Sequence, residues 1–164
     1  MEVSLHVFSA KTNKEGCPFR VIVSEKGTWQ RDLGRFLQVS LSKLTIDDPF
    51  LVRSSEVVST FLEAQPSEYL SAFSVDIKDL YYSMRHDLLL DAVTDAIDNF
   101  GNVNFQTECG ISVDKYLDTL VFYFDSTFVD YNDQLYLQNT GVCIGSSLVP
   151  VLSDLLLTAF DRTL

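Results

Sequence analysis

The stretch AFSVDIKDLYYSM, residues 72–84, decides how the rest of the chain is read. It opens with strand alternation, Phe73 and Val75 on one face and Ser74 between them. Where the apolar run would continue it places Asp76, then Asp79 three residues on, and at once Tyr81 and Tyr82. The expectation is a core strand that ends in a carboxylate. A strand end holds a side chain rigidly, and Mg²⁺ is bound through one or two carboxylates together with substrate phosphates. Asp76 is therefore a candidate metal ligand, with the main-chain carbonyl of Ile77 as a second oxygen. Tyr81, five residues beyond Asp76, can be folded back over a bound substrate by a tight turn. The plain alternatives are a solvated strand terminus for Asp76 and ordinary aromatic packing for Tyr81 and Tyr82.

Upstream of this stretch, Gly16 and Pro18 bracket a turn, FRVIVS (19–24) alternates as a strand, and EKG (25–27) forms a second turn. From Trp29 to Leu44, Leu33, Phe36, Leu37, Leu41 and Leu44 make a helical face, with Arg31, Arg35 and Gln38 opposite. DDP (47–49) breaks the chain, and Ser54 or Ser55 caps a short helix that runs to Glu63 and stops before Pro66. Downstream, Leu89, Val93, Ala96, Ile97 and Phe100 share a helix face, and Asp87, Asp91, Asp95 and Asp98 point outward. Those four acids read as a solvated face, since like charges at this spacing in water cost only a few tenths of a kcal/mol each. Ser112 caps a further helix with Val113, Tyr116, Leu117, Leu120 and Phe124 inward. TFVDYNDQLYLQ (127–138) reads as a hairpin turning at Asn132–Asp133, and Leu148, Val151, Leu152, Leu155 and Ala159 line a last helix. Helices and strands are mixed without regular alternation, so the fold class is α+β.

The chain has 164 residues, 46% apolar and 21% charged, enough to bury a sizeable core. No apolar run reaches membrane-spanning length and the start lacks a secretory pattern, so no membrane partner is expected and the compartment reads as intracellular, nuclear or cytoplasmic rather than secreted. Cys17, Cys109 and Cys143 are odd in number and widely spaced, fitting neither a disulfide framework nor a zinc site. They read as free core thiols in a reducing compartment. Net charge is −11 and uneven: residues 1–45 hold seven Lys/Arg against four Asp/Glu, residues 46–164 five against nineteen. A basic arm for phosphates beside an acidic body for metal is one reading. A solvated acidic surface is the other, and the overall sign opposes a free-standing nucleic-acid binder.

Two further segments carry candidate chemistry. GVCIGSSLVP (141–150) sets glycines four residues apart before a helix, which lets backbone N–H groups approach a base pair or phosphate without a side-chain clash. Such a spacing is also an ordinary turn. KTNKEGCPFRVIVS (11–24) gathers Lys11, Lys14 and Arg20 around a turn and a strand start. These are solvated cations, or a clamp for a triphosphate in which Arg20 offers its planar fork. His6 and His86 read as structural, and no Ser/His/Asp grouping, zinc motif or P-loop is present.

Taken in order, the three segments resemble the motifs of reverse transcriptases, most closely Penelope-like retroelement polymerases. FSVDIKDLYYSM resembles motif A, QNTGVCIGSSLVP resembles motif B, and PFRVIVSEKG resembles the fingers strand whose arginine meets the incoming triphosphate. The likeness runs from about Lys11 to the end. It implies a partial fingers–palm of a right-hand polymerase, with about 1–66 fingers-like and 67–164 a palm portion carrying motifs A and B. It also implies Asp76 as catalytic metal ligand, with Ile77 supplying a carbonyl, and Tyr81 as steric gate against the sugar 2′-position. Gly145 would lie at the nascent base pair, with Gln138 and Gly141 shaping the approach. Arg20 would hold phosphate, helped by Lys14 or Lys11. The implied cofactor is Mg²⁺ and the implied partners are an RNA/DNA template-primer and a deoxynucleotide. In the complete enzyme a primer 3′-hydroxyl attacks the α-phosphate, with two metal ions about 3.5–4 Å apart stabilising the entering and leaving oxygens.

The chain departs from the family at Ile144, Val149, Asn13 and Arg85. More important, the family completes its metal site with an aromatic-x-Asp-Asp hairpin, motif C, and these residues contain none. FDS (124–126) precedes motif B, and FDR (160–162) lacks the paired acid. The expectation is that this polypeptide is inactive by itself. The alternative is a non-catalytic acidic α+β interaction domain derived from a retroelement.

Overall fold

The computed structural model describes residues 4–10, 15–17, 19–44, 46, 48, 50–52, 54–65, 71 and 73–163. Two strands, β1 (Ser4–Ala10) and β2 (Phe19–Ser24), pair antiparallel with Leu5 opposite Ser24 and Ala10 opposite Phe19. β1 also runs parallel to β3 (Phe128–Tyr131), which forms an antiparallel hairpin with β4 (Gln134–Leu137). The sheet order is β2-β1-β3-β4. The hairpin turns at Asn132 and Asp133, with φ of 54° and 58°. Positive φ at both central residues is what a two-residue connection matching strand twist requires, and Asn and Asp tolerate it.

Seven helices are described: α1 (Trp29–Leu41), α2 (Ser55–Glu63), α3 (Leu80–Ser83), α4 (His86–Phe100), α5 (Asn102–Cys109), α6 (Val113–Asp125) and α7 (Val149–Asp161). The core forms where the apolar stripes of α1, α4, α6 and α7 meet. Leu37, Leu89, Val93, Ile97, Leu120 and Leu152 are all fully buried there. For Leu89, Val93 and Ile97, one face of α4, removal from water is worth roughly 5–9 kcal/mol before the entropy of ordering is subtracted. Asp87, Asp91, Asp95 and Asp98 are exposed on the opposite side of α4, as amphipathic spacing dictates. The Ser112 side chain accepts from the Lys115 N–H at 3.4 Å, capping α6. The α1 residues Leu37 and Leu41 share this core with α4–α7, so the earlier and later parts of the chain are packed around common residues.

Several expectations are corrected. Residues 73–77 are not a core strand: they are exposed, Phe73 at 91% and Val75 at 85%, and no strand among the described residues pairs with them. Alternation marks a segment able to enter a sheet, but entry needs a ladder partner, and the described strands pair only with one another. Helix α5 went unread because it carries no apolar stripe, only Phe105 being buried. Phe36 sits at the rim of the core, tilted against Tyr116 at 6.3 Å, rather than inside it. Cys143 is a buried thiol and Cys109 is half-buried, but Cys17 is exposed. Pro18, the Asp47 and Pro49 positions and Pro66 lie outside the described residues.

Candidate functional site

The segment between β4 and α7 is where the sequence motifs meet. Its glycine at 141 has φ +72°, and a Cβ there would stand 2.7 Å from the Tyr81 carbonyl oxygen and 2.8 Å from Tyr82 Cα. Only glycine fits an approach this close to main chain. The approach is tied by hydrogen bonds: the Gly141 N–H donates to the Met84 carbonyl at 3.1 Å and the Val142 N–H to the Tyr81 carbonyl at 2.8 Å. The His86 Nε2 lies 2.7 Å from the Gly141 carbonyl while its ring stacks on Phe124 at 4.4 Å. His86 therefore has the structural role expected of it.

The same loop reaches β2 at its other end. The Val23 N–H donates to the Ile144 carbonyl at 2.8 Å, and Gly145, at φ +121°, brings its Cα so near that a Cβ would lie 2.5 Å from the Val23 carbonyl oxygen. Cys143 fills the space beneath, buried with Val23 and Val129 in a small second core. Gly141–Gly145 thus bridges β2, which carries Arg20, to α3, which carries Tyr81.

Asp76 is placed differently from its neighbours. It is exposed on the unpaired run 73–77, where it makes no hydrogen bond or ion pair among the described residues, and Ile77 beside it is 52% exposed. Three residues on, Asp79 adopts φ +52°, a left-handed conformation that Asp tolerates better than most residues. Its carbonyl accepts the N–H groups of Tyr82 at 2.9 Å and Ser83 at 3.1 Å, starting α3. The turn carries Tyr81 back against the core, half-buried, which is the ordinary aromatic packing given as the alternative to a place over a substrate. Gln138 is half-buried; its N–H donates to the Thr127 carbonyl at 3.0 Å and its Nε2 to the Thr140 carbonyl at 3.1 Å. Arg20 stands opposite Ser9 in the β1–β2 ladder, three residues before Val23. Lys11 and Lys14 lie outside the described residues.

Among the described buried polar residues one is an acid. Glu25, in the turn after β2, is only 4% exposed and accepts a hydrogen bond from the Tyr123 hydroxyl of α6. Tyr123 lies 2.7 Å from the Ser146 Oγ at the end of the glycine loop, and that Oγ accepts the Leu148 N–H at 3.3 Å. Burial pushes the Glu25 carboxyl above the usual carboxylate range, against the Tyr123 hydrogen bond that pulls it down. Burial, and then the nearby Glu25, push the Tyr123 hydroxyl and the Cys143 thiol upward as well, so both stay neutral. The readable trace was Gly34 in the middle of α1, where a Cβ would meet the Tyr123 ring at 3.3 Å and the Ser146 Oγ at 3.4 Å. A glycine inside a helical pattern costs helix propensity and marks close packing.

As a metal site, Asp76 offers one carboxylate and the adjoining carbonyl, and no group of three His, Cys, Asp or Glu side chains suited to a cation occurs among the described residues. That is too small a donor set for a cage built of protein alone, and the strand-end rigidity expected to hold Asp76 is missing, since residues 73–77 are unpaired and exposed. No described helix is long and apolar enough to cross a membrane. A scan against protein-family models finds no matching family, and searches of curated proteins and of solved structures find no match.

Proposed function

We propose that these 164 residues are a fingers and partial palm portion of a retroelement reverse transcriptase, most like the Penelope-like type. The observation that carries the reading is the glycine loop, bonded to Val23 on one side and to Tyr81 on the other. Three segments singled out separately in the sequence are thereby brought into one neighbourhood. This contact of Val23, Tyr81 and the loop supports the reading; the bonds that make it do not include Asp76.

On this reading each group has a task. Gly145 is exposed in the loop and offers main chain to a nucleotide or base pair, while Gly141 is buried and seats the loop on Tyr81 and Tyr82. Position 20 lies in β2 three residues before Val23, and a guanidinium suits triphosphate oxygens. Tyr81 bounds the sugar. Asp76 offers its carboxylate to a metal–nucleotide complex, and Mg²⁺ when bound supplies charge stabilisation at the phosphates. With motif C absent from these residues, they bind template-primer and do not extend it.

The test is fluorescence anisotropy of a recessed RNA-template/DNA-primer duplex titrated with the chain between 50 and 200 mM salt, beside a primer-extension assay in Mg²⁺ or Mn²⁺. The expected result is binding that weakens steeply with salt, a slope reduced by about one in Arg20→Ala, and no extension. Absence of binding at low salt overturns the polymerase reading, and Asp76-dependent extension overturns the inactivity.

A second reading, an acidic interaction domain without chemistry, is favoured by α2. None of its residues is buried, and Val57, Phe61 and Leu62 lie open on it in a chain of net charge −11. Salt-insensitive failure to bind the duplex selects that reading.

A further inference from the structure

We infer that Glu25, Tyr123 and Ser146 form a buried clamp that sets the distance between β2 and the glycine loop, making them positioning residues for the nucleotide site. The assignment of that site rests on the polymerase reading; the clamp itself rests on contacts. Glu25 lies two residues beyond Val23, and Ser146 one residue beyond Gly145. The Tyr123 hydroxyl, held on the rigid α6, touches both. The loop is therefore fixed to β2 twice: by main chain between Val23 and Ile144, and by side chains through Tyr123.

The chemistry of the chain of bonds is directional. The Leu148 N–H donates to Ser146 Oγ, leaving the Ser146 hydroxyl free to donate to the Tyr123 oxygen, whose own proton goes to Glu25. The arrangement needs an acceptor at position 25 and a hydroxyl at 123 and 146. It does not need a charge. No cation is paired with Glu25 among the described residues, so a carboxyl here costs burial without the return of an ion pair. Apolar residues would fill the same volume more cheaply, but they would leave the loop end free to slide along Val23. Gly34 supports the assignment: it clears room on α1 for the tyrosine ring and the serine oxygen together.

The test uses the full chain and two readouts. The first is amide exchange in the ligand-free protein at three probes with known partners: Val23 N–H to Ile144, Ser146 N–H to Cys143, and Leu148 N–H to Ser146 Oγ. Tyr123→Phe is expected to speed exchange at all three probes, and Ser146→Ala at the Val23 and Ser146 N–H groups, whose acceptors it leaves in place, about tenfold relative to Val142, which is tied instead to Tyr81. Glu25→Gln keeps the acceptor and is expected to leave them unchanged. Tyr116→Phe is the structural control: it removes another buried tyrosine hydroxyl bond from α6, to the Leu37 carbonyl at 2.8 Å, away from the loop. If Tyr116→Phe loosens the three probes as much as Tyr123→Phe, or if Ser146→Ala leaves the Val23 and Ser146 N–H groups protected, the clamp is overturned. The second readout is affinity for the primer–template duplex, expected to fall about tenfold in Tyr123→Phe and Ser146→Ala and to be retained in Glu25→Gln. Wild-type protein that binds no duplex overturns the polymerase reading, while the exchange readout still decides the clamp.

Discussion

Two glycines of nearly equal φ allow the seating of the loop to be measured. Gly141 has φ +72° and Gly110 has φ +75°. An alanine at either carries the same conformational penalty, about 1–2 kcal/mol for an L residue in the left-handed region. At Gly110 the added methyl meets nothing within 4 Å. At Gly141 it meets three main-chain atoms, the Tyr81 oxygen at 2.7 Å and the Tyr82 Cα and oxygen at 2.8 Å, and backbone cannot swing aside as a side chain can. Relief requires the loop to move off α3, which weakens the Gly141–Met84 and Val142–Tyr81 bonds and the His86 contact. Overpacking costs about 1–3 kcal/mol and each net hydrogen bond about 1 kcal/mol. Gly110→Ala should therefore lose about 1–2 kcal/mol and Gly141→Ala about 3–5 kcal/mol. Urea unfolding followed by circular dichroism reads the difference, which at a slope of about 2 kcal/mol per molar separates the midpoints by roughly 1–2 M. Equal losses in the two variants would refute the close approach of the loop to Tyr81 and Tyr82.

Other outcomes follow from the same contacts. Glu25 has a raised folded pKa, above its ordinary 4.5, so its contribution to stability is full below that value and is lost as pH rises through the folded pKa. The stability of Glu25→Gln relative to wild type should accordingly increase with pH in urea melts from pH 4 to 8, and a flat difference would show that burial does not perturb this carboxyl. Tyr116→Phe should cost about 1 kcal/mol, since the hydroxyl donates to the Leu37 carbonyl at 2.8 Å in the core, and a loss below the precision of the melt would mean that bond is not formed. Asp133→Gly should stabilise the β3–β4 hairpin by a few tenths to 1 kcal/mol, because Asp133 sits at φ 58° in a turn where glycine is unstrained, and a loss of stability would contradict the assigned turn.

Much of the fold was legible in the sequence because its helices are amphipathic and its turns carry their own chemistry. The stripe through Leu89, Val93 and Ile97, the Ser112 cap and the Asn132–Asp133 turn each encode local geometry in a few adjacent residues. What was not legible depends on partners distant in sequence. Strand alternation at Phe73 and Val75 is real, but whether such a segment joins a sheet is decided by whether another strand pairs with it. Helix α5 is set by its flanking Gly101 and Gly110 rather than by a stripe. At the candidate site, the glycines could be read as points of close approach, yet the atoms approached, Val23 and Tyr81, lie some 120 and 60 residues upstream. The Glu25–Tyr123–Ser146 connection spans three elements and leaves only Gly34 as a local sign.

Paramagnetic broadening by Mn²⁺–deoxynucleotide in ¹⁵N-resolved spectra tests most directly the proposal that Asp76, Tyr81, β2 and the glycine loop serve one metal–nucleotide complex. The account predicts broadening concentrated on the amides of residues 76–82, 141–146 and 20–23, abolished by Asp76→Asn. Broadening confined to the exposed acids Asp87, Asp91, Asp95 and Asp98 of α4, and indifferent to Asp76→Asn, would contradict it.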